Sequence, residues 1–326
     1  MIAIFDIGGT NFRAAIYQNK KIIKIEKIPT PNYLKGFSIN AINNHILDLI
    51  FVFIKKNEGV NCIGVCFAGP VSKNGVIWGS SVIYGKKILK NFNLRNEIIK
   101  KTKIDNVYVV NDLFAASWRY INQYNKFLLV TVSSGIGNKI VINKEVQIGD
   151  DGFEGELGHI RAIGCEEINI KCDCGWGINH IGSISSGRGI ENIANKYKNT
   201  VFNKSYLESS LQNNKYITIY DIAKAADMSD VFANEIIDYC TKPLAYTFCS
   251  LLASLYLDKI ILMGGFVQNC NSYIKYLVKN MIDFGIYNFN SDMIKEKIII
   301  GYNDDEHGLY GLISYLDSKY CMENIQ

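Results

Sequence analysis

Asp112 stands where a carboxylate can take part in acid–base chemistry. It follows Asn111 at the end of an apolar run, residues 106–110, that predicts a strand, and the residues from Leu113 onward predict a helix. A carboxylate at the carboxyl end of a strand can act as a general base and accept the proton of an alcohol that attacks a γ-phosphate. It can also be only the N-cap of the helix that follows, and position alone favours the cap.

Two glycine turns, each directly after an apolar strand, offer backbone N–H groups to an anion. The first spans Gly8–Thr10 and the second spans Ser134–Gly137. Because glycine has no Cβ, a phosphate oxygen can approach such a turn closely. Thr10 adds a hydroxyl group, and Asp6, just before the first turn, can hold a hydrated Mg²⁺ against the same phosphates. The plainer alternative is that both turns are ordinary hairpins.

The segment Glu154–His159 combines a carboxylate and an imidazole at a spacing of three residues. Glu156 and His159 can face the same way, and a Glu beside a His suits a polyol, whose hydroxyl groups both donate and accept hydrogen bonds. The alternative is a polar loop with a solvated Glu and a core His.

The cysteines and histidines downstream predict a metal site. Cys172 and Cys174 begin thirteen residues after His159, and His180 lies six residues beyond Cys174. Two thiolates and two imidazoles form a four-ligand set for a structural Zn²⁺, which would fix the loop that carries Glu156. The C-x-C spacing is tighter than the usual C-x-x-C, and reduced cysteines in a loop are the alternative.

Other phosphate-binding devices are absent from the sequence. There is no G-x-x-x-x-G-K-[ST] loop, no H-R-D kinase loop and no G-x-G-x-x-G after the first strand. Gly264 and Gly265 end a further apolar strand and could let a nucleotide base or ribose approach the backbone.

The composition limits the classes of function. The 326 residues are 48% hydrophobic, which is enough for a core, and the length suggests about two domains. A net charge of +4 spread along the chain argues against nucleic acid. Nine cysteines, an odd number, and the lack of a secretory leader predict a reduced, cytoplasmic protein. The most apolar stretch, residues 244–257, is too short to span a bilayer, so no membrane function is expected.

Mixed hairpins and βα units predict an α/β protein with a mixed sheet. The first three strands read as a meander, and Ser38 predicts the N-cap of the first helix. The strand–turn–strand pattern recurs about 126 positions later, from Gly9 to Gly135, which predicts an internal repeat. Pro243 interrupts the long helical pattern 229–257 and predicts a kink or two helices there.

In combination and order, these motifs resemble those of the ROK family (repressors, open reading frames and sugar kinases), in particular its bacterial glucokinases. The resemblance runs from residue 4 to about residue 313. The motifs that carry it are Asp6–Arg13, Ala68–Val71, Asn111-Asp112, Ser133–Gly137, Glu154–His159, Cys172–Gly175, Ser186-Gly187, Met263–Gly265 and Gly308–Gly311.

The resemblance implies the duplicated ribonuclease-H-like fold of hexokinases and actin, with two lobes around a cleft. The smaller N-terminal α/β lobe would span residues 1–112 and be completed by the C-terminal helix at about 303–326. The larger C-terminal α/β lobe, 113–302, would carry the zinc loop. The implied reaction is phosphorylation of a hexose or hexose-like sugar by Mg-ATP, usually at the 6-hydroxyl, with the ATP phosphates between the two glycine turns. A homodimer is implied in the same way.

The roles of individual residues follow from the same resemblance. Asp112 would be the general base. The sugar would be held by Gly69, Asn111, Asp112, Glu156 and His159. ATP and Mg²⁺ would be held by Asp6, Gly8, Gly9, Thr10, Asn11, Arg13, Ser134, Gly135, Gly137, Gly264 and Gly265. Zinc would be bound by His159, Cys172, Cys174 and His180.

The chain departs from the family pattern in the cysteine box. The family continues C-x-C-G-x-x-G-C and has a sugar-binding Glu two residues later. Here the third Cys is absent, and either Asn179 or His180 takes its position, depending on the alignment. The Glu is replaced by Ile181 or Gly182. Glucose, an amino sugar, an N-acyl sugar and a cyclitol are therefore all candidate acceptors.

Two functions without catalysis stand beside the kinase. One is a sugar-responsive repressor, but family members of that kind carry a winged-helix segment before the first phosphate motif, which starts here at Asp6. The other is a sugar-binding regulatory protein without kinase activity. The presence of Asp6, Asp112 and both glycine turns argues against it.

Overall fold

A computed structural model describes residues 1–9, 11–30, 34, 36–85, 87, 89, 91–198, 207, 216–304 and 306–323. The chain forms two compact units. Unit 1 comprises Met1–Gln123, Glu145–Glu154 and Asp304–Gln326, and unit 2 comprises Tyr124–Lys144 and Gly155–Asn303. The lobe limits expected near residues 112 and 302 stay a prediction, because these units are defined by contacts and not by relative motion.

The described residues contain the following elements. The strands are β1 (Ile2–Ile7), β2 (Phe12–Gln18), β3 (Lys21–Ile28), β4 (Cys62–Phe67), β5 (Val76–Ile77), β6 (Phe92–Asn93), β7 (Val107–Asn111), β8 (Phe127–Val132), β9 (Ile136–Ile142), β10 (Glu145–Val146), β11 (Lys259–Met263) and β12 (Ile298–Ile300). The α-helices are α1 (Ile39–Lys55), α2 (Ser81–Tyr84), α3 (Leu94–Thr102), α4 (Asp112–Ser117), α5 (Ile181–Ser185), α6 (Gly187–Tyr197), α7 (Ile219–Asp227), α8 (Val231–Leu255), α9 (Gly265–Gln268), α10 (Asn271–Phe284), α11 (Ser291–Lys297) and α12 (His307–Glu323). Short 3-10 turns cover Leu157–His159 and Glu166–Ile168.

Unit 1 is built on a mixed sheet in the strand order β3-β2-β1-β4-β7. The first three strands are antiparallel neighbours, so the predicted meander is confirmed. β1, β4 and β7 run parallel, and β4 is buried along its whole length, as expected for a strand covered on both faces. Because parallel strands end at the same edge, Asp6 of β1 and Asn111 of β7 share one edge of the sheet.

Helices cover both faces of this sheet. Ser38 caps α1 as predicted, since its hydroxyl oxygen accepts a hydrogen bond from the amide of Ala41. One face packs against α1 and α3, and the other packs against α4 and α12. The α12 side matters for function, because α4 and α12 both begin at the edge that carries Asp6 and Asn111.

Unit 2 repeats this plan. Its strands are hydrogen-bonded in the order β9-β8-β11-β12, with β8 antiparallel to β9 and parallel to β11, which is parallel to β12. The same order and directions occur in β2-β1-β4-β7. The predicted internal repeat is therefore confirmed, and each copy opens with a strand, a glycine turn and an antiparallel strand.

The core of unit 2 lies between its sheet and helices α5, α6, α8 and α10. α8 runs unbroken through Pro243, which is buried, so of the two predicted alternatives the division into two helices is wrong, and the kink stays a prediction. Apolar residues on both sides of the proline pack into the core and offset the missing backbone hydrogen bond. No helix in the described part of the chain has the length and apolar character needed to cross a membrane.

Candidate active site

The junction of β7 and α4 places Asn111 and Asp112 side by side. Asn111 is the N-cap of α4, and its side-chain oxygen accepts the amide hydrogens of Leu113 and Phe114 at 3.0 and 3.1 Å. Its side-chain nitrogen donates to the carbonyl of Gly69 and to Oδ1 of Asp112, both at 2.9 Å. Asp112 is the first residue of the helix. The cap that position favoured for Asp112 therefore belongs to Asn111.

Gly69 is held where a side chain has no room. A Cβ at Gly69 would lie 2.2 Å from the carbonyl oxygen of Gly79, and the amide of Gly69 donates to Phe67 at 2.9 Å. The carbonyl of Gly69 is thereby fixed as an acceptor for Asn111. This contact orients the Asn111 amide and, through it, the Asp112 carboxylate.

Asp6 forms a buried ion pair with Arg13 across β1 and β2, with 3.4 Å between Nη1 and Oδ2. Burial and the negative charge of Asp112 raise the pKa of Asp6 to about 7, although Arg13 acts in the opposite direction. Two carboxylates whose charges repel in a dry environment form a donor set that a divalent cation relieves. The residues present therefore fit Mg²⁺.

The first turn of α12 contacts the same carboxylate. A Cβ at Gly308 would lie 2.8 Å from Oδ1 of Asp6, so a side chain at this position would displace the acid. The carbonyl of Gly308 accepts a hydrogen bond from the thiol of Cys66 at 3.5 Å. Burial, followed by the charges of Asp6 and Asp112, raises the pKa of Cys66 well above its usual range, so this cysteine stays a thiol.

The first glycine turn is fixed by local and distant contacts. The amide of Gly8 donates to the carbonyl of Asn11 at 2.9 Å, and the hydroxyl of Thr30 donates to the carbonyl of Gly8 at 2.7 Å. A Cβ at Gly9 would lie 2.5 Å from a side-chain carbon of α2. Gly8 is thus held by two hydrogen bonds, and a side chain at Gly9 would clash with α2. Thr10 lies outside the described residues.

Hydrogen bonds from the start of α6 hold the second glycine turn in place. The amide of Ser133 donates to Gly135 at 3.0 Å, and the carbonyl of Ser133 accepts from Gly187 at 2.8 Å. The hydroxyl of Ser186 donates to the carbonyl of Ser134 at 3.2 Å. The front of Gly135 is open, because no heavy atom lies within 4 Å of a Cβ built there. An anion can therefore approach this backbone.

Three further predicted glycines are Gly137, in β9, and Gly264 and Gly265, which directly follow β11. Gly137 pairs with Thr131 in the β8–β9 ladder. A Cβ at Gly264 would lie 2.7 Å from the carbonyl oxygen of Val132, and the backbone there has φ of +112°, which favours glycine. Gly265 has open space where a Cβ would stand.

A cavity of about 350 Å³ adjoins Gly265 in unit 2. It lies against α7 and α9 and is lined by Ile219, Tyr220, Ala223, Lys224, Asp227, Met228, Gly265, Phe266 and Asn269. Apolar walls with a few polar groups are typical of small-molecule sites. The size and lining suit a nucleoside.

Glu156 and His159 lie at the two ends of a short 3-10 turn. The carboxylate Oε2 of Glu156 is 3.7 Å from Nε2 of His159. The other ring nitrogen, Nδ1, is 3.5 Å from the Sγ of Cys172. The two nitrogens of one imidazole thus face different groups, and the ring can serve a metal on one side and a hydroxyl or carboxylate on the other.

The four side chains predicted as zinc ligands come together in unit 2. One ligand atom from each of His159, Cys172, Cys174 and His180 lies within 4.8 Å of all the others. The Sγ of Cys174 is 3.4 Å from Nδ1 of His180, close to the separation of about 3.5 Å expected between sulfur and nitrogen ligands of tetrahedral zinc. The donor set and its spacing fit zinc.

The structure decides between Asn179 and His180 as the residue at the third-cysteine position. Asn179 is fully buried, and its side chain holds the loop together: it donates to the carbonyl of Cys165 at 2.8 Å and accepts from the amide of Ile170 at 2.7 Å. His180 is therefore the residue beside Cys174.

This assignment places Gly182 where the family pattern has its sugar-binding Glu. A Cβ at Gly182 would lie 3.0 Å from the carbonyl oxygen of Gly158, which is tighter than ordinary contact. A side chain at this position would therefore require the carbonyl of Gly158 to shift by a few tenths of an ångström.

Several site residues were not found from sequence. Gly308 belongs to a motif near the end of the chain but carries no chemical group, and neither Cys66 nor Thr30 lies in a motif. Each acts through a contact with a residue distant in sequence, such as the 3.5 Å bond between Cys66 and Gly308. Spacing patterns detect neighbours along the chain, so they miss such pairs.

Comparison with known proteins gives consistent relatives. A model of the ROK family matches residues 1–317. A C(7)-cyclitol 7-kinase of Streptomyces hygroscopicus subsp. jinggangensis is 26% identical over 95% of this chain and 92% of its own length. A glucokinase of Halalkalibacterium halodurans is 27% identical over 83% and 82%, and an N-acetylmannosamine kinase of Haemophilus influenzae is 27% identical over 86% and 85%.

Solved structures share the fold. A ROK hexokinase from Thermus thermophilus superposes with a TM-score of 0.72 at 20% identity, over 98% of this chain and 99% of the other. A ROK-family transcriptional regulator, described as a homologue of the Escherichia coli MLC protein, superposes with a TM-score of 0.76 at 19% identity, over 96% and 78%. The predicted duplicated α/β fold of hexokinases is thereby confirmed.

Proposed function

The chain belongs to the ROK family and is a sugar kinase, and we propose that it transfers the γ-phosphoryl group of ATP to the primary hydroxyl of a hexose or hexose-like polyol. The observation that carries the proposal is the arrangement of Asn111, Asp112 and Asp6 at one edge of the first sheet. It combines a base with a place for a cation, which are the two requirements of phosphoryl transfer.

Asp112 is the proposed general base. Its Oδ1 is held by the amides of Leu113 and Asn111, both at 2.9 Å, so the carboxylate has a fixed orientation. A base held in this way can accept the hydroxyl proton as the oxygen attacks phosphorus. Asn111, Gly69, Glu156 and His159 are proposed to hold the hydroxyl groups of the acceptor.

The glycine turns are the proposed phosphate ligands. In unit 1 the turn is Gly8–Asn11, and in unit 2 it is Ser133–Gly137, each held by the hydrogen bonds described above. The cavity beside Gly265 is proposed to take the adenosine. Mg²⁺, when bound, would neutralise charge on the phosphate oxygens. Asp6 would hold it, and Arg13 would limit the repulsion between Asp6 and Asp112.

Glycine at position 182 should allow acceptors whose hydroxyl groups along one edge of the ring differ from those of glucose. A site that uses a carboxylate to bind a hydroxyl discriminates strongly against an analogue that lacks this hydroxyl. With glycine at position 182, that discrimination is absent. A relative that acts on a C7-cyclitol, as its name states, supports an acceptor that need not be a pyranose.

Turnover over an acceptor panel tests the proposed reaction. The panel contains glucose, 1,5-anhydroglucitol, 2-deoxyglucose, glucosamine, N-acetylmannosamine, a 3-amino hexose and a hydroxymethyl cyclitol, and ADP release is measured with Mg-ATP. At least one acceptor should be phosphorylated, with the phosphate on its primary oxygen by ³¹P NMR. Removal of one hydroxyl group from the edge of the acceptor ring that the family's Glu would contact should lower kcat/KM less than about tenfold. In a site that binds this hydroxyl group with a carboxylate, the same removal would lower kcat/KM about 10⁴-fold.

Two outcomes would contradict different parts of this proposal. Calorimetric binding of an acceptor with no phosphate transfer to any panel member would favour the regulatory alternative over the kinase. Phosphorylation of a secondary hydroxyl would leave the kinase intact and overturn the proposed regiochemistry.

We further propose that His159, Cys172, Cys174 and His180 bind one structural Zn²⁺ per chain. The ligand separations given above support this role. Zinc, when bound, fixes the relative position of the two loop segments that carry its ligands. Glu156 lies next to one of these segments, so its orientation depends on the loop.

Replacing His180 by alanine is expected to abolish zinc binding, because only three of the four protein ligands of a structural site then remain. Activity should fall about tenfold or more through loss of the orientation of Glu156 and His159. Zinc per chain is measured by mass spectrometry, and loop stability by the shift of Tm on adding a chelator.

The conservative variant and a matched control sharpen this test. His180→Cys should keep one zinc per chain and most of the activity, whereas His45→Ala, on α1, should match the parent. A parent protein without zinc, whose Tm a chelator leaves unchanged, would overturn the proposed metal site.

By resemblance we also propose a homodimer that works in the cytoplasm. The eight cysteines between Cys62 and Cys270 are free thiols, as expected in a reducing compartment. Light scattering of the purified protein checks the oligomeric state.

A further inference from the structure

The first turn of α12 is placed where it can influence Asp6 directly. Gly308, the second residue of the helix, approaches Asp6 so closely that a Cβ there would lie 2.8 Å from Oδ1 and 2.9 Å from Cγ. The amide groups at the start of a helix carry partial positive charge. The position of this turn therefore affects how the carboxylate of Asp6 faces a cation.

Three side chains outside the predicted site hold this turn. Nη1 of Arg119 donates to both carboxylate oxygens of Asp304, at 2.8 and 3.0 Å, and lies 3.2 Å from Nδ1 of His307. Because a guanidinium can only donate, Nδ1 of His307 is the acceptor. Asp304 also accepts the amide hydrogen of Glu306 at 3.0 Å. The residues that lead into α12 are thus tied to one guanidinium.

The side chain of Arg119 is held in place by its surroundings. Its side chain is 12% exposed and lies 5.2 Å from the centre of the Tyr310 ring, also on α12. It follows α4, whose first residue is Asp112. α4 and α12 touch through their backbones, since a Cβ at Gly311 would lie 1.8 Å from the carbonyl oxygen of Ala115. Arg119 therefore links the segment that carries Asp112 to the helix that contacts Asp6.

We propose that Arg119, Asp304 and His307, here named the α12 clamp, are positioning residues that hold the first turn of α12 against Asp6. By fixing the surroundings of Asp6 relative to Asp112, the clamp sets the affinity of the two carboxylates for the divalent cation that accompanies ATP. This inference rests on the proposed function. The clamp acts through Asp6, so its loss affects the metal and nucleotide and leaves the binding of the acceptor unchanged.

The test compares Arg119→Gln with Arg119→Lys, and uses Arg188→Gln as the control. Arg188 pairs with Asp173 at the surface of unit 2 and is 57% exposed, so its loss should leave hydrogen exchange of residues 306–311 unchanged. In ligand-free protein, hydrogen exchange of residues 306–311 should be faster in Arg119→Gln. Binding of Mn²⁺ with a non-hydrolysable ATP analogue, measured by electron paramagnetic resonance, should weaken about tenfold.

The remaining readouts separate positioning from a general loss of structure. The KM of the acceptor should stay within about twofold of the parent value, and Arg119→Lys should recover part of the Mn²⁺ affinity because an ammonium can still pair with Asp304. If Arg119→Gln does not fold, Asp304→Asn takes its place, since it keeps an oxygen for Glu306.

Unchanged Mn²⁺ affinity in a folded clamp variant would overturn the proposal, and so would an equal loss in the Arg188→Gln control. Hydrogen exchange and Mn²⁺ binding need no turnover. A protein that phosphorylates nothing in the panel would therefore refute the proposed function while the clamp could still be judged.

Discussion

Replacing Asp112 by asparagine is expected to lower kcat about a thousandfold, within the range that general-base catalysis contributes. Asparagine has nearly the same shape, and its carbonyl oxygen can still accept from the amides of Leu113 and Asn111, which now bind Oδ1 at 2.9 Å. It cannot accept the proton of the attacking hydroxyl. The start of α4 should therefore keep its structure while the chemical step is lost.

Steady-state and single-turnover rates with Mg-ATP and the best acceptor measure this effect. The acceptor KM and the calorimetric affinity for the ATP analogue should change less than about threefold, since the lost interaction belongs to the transition state. Asp105→Asn, an exposed acid just before β7, is the matched control and should be fully active. Undiminished turnover in the Asp112 variant would refute its role as the base.

The sequence was most informative where function depends on local backbone geometry. Gly8–Thr10 and Ser134–Gly137 could be identified because glycines between two apolar strands predict a turn that a side chain would obstruct. The repeat followed from the same pattern, and the matching strand orders confirm it. Such features need only neighbours along the chain, so composition and spacing reveal them.

The assignment of the helix cap shows the limit of this reasoning. Asn111 and Asp112 both favour caps, and position alone does not say which one takes that place. The structure gives the cap to Asn111, whose nitrogen also finds the carbonyl of Gly69. That second contact is 42 residues away in sequence, and it decides between two locally equivalent arrangements.

The zinc loop shows a similar limit. Asn179 and His180 were equally compatible with the spacing, because the family pattern can be aligned from either side. Burial decides: Asn179 satisfies backbone groups that would otherwise lie unpaired inside the loop, which leaves His180 beside the thiols. Packing also explains why α8 continues as one helix through Pro243, since the turns on both sides of the proline contribute to the core.

Asp6→Asn is expected to make unit 1 more stable at pH 8 and to lower kcat/KM for Mg-ATP about a hundredfold. The folded protein raises the pKa of Asp6 from 3.8 to about 7, so it holds the proton more tightly than the unfolded chain does. Below about pH 4 both states are protonated and the acid costs nothing. As the pH rises towards 7 the unfolded chain ionises first and the free energy of unfolding falls, by a few kcal/mol in all.

Asparagine resembles the protonated acid, so the variant should equal the parent near pH 4 and exceed it increasingly up to pH 8. Urea midpoints across this range measure the difference, and hydrogen exchange of β1 identifies the transition of unit 1. Asp48→Asn, an exposed acid of α1, should show no such trend. A stability difference that is the same at every pH would mean that Asp6 is not held in a repulsive, dry environment. A variant that is more stable but less active is expected if the Asp6 carboxylate serves to bind a cation and does not stabilise the fold.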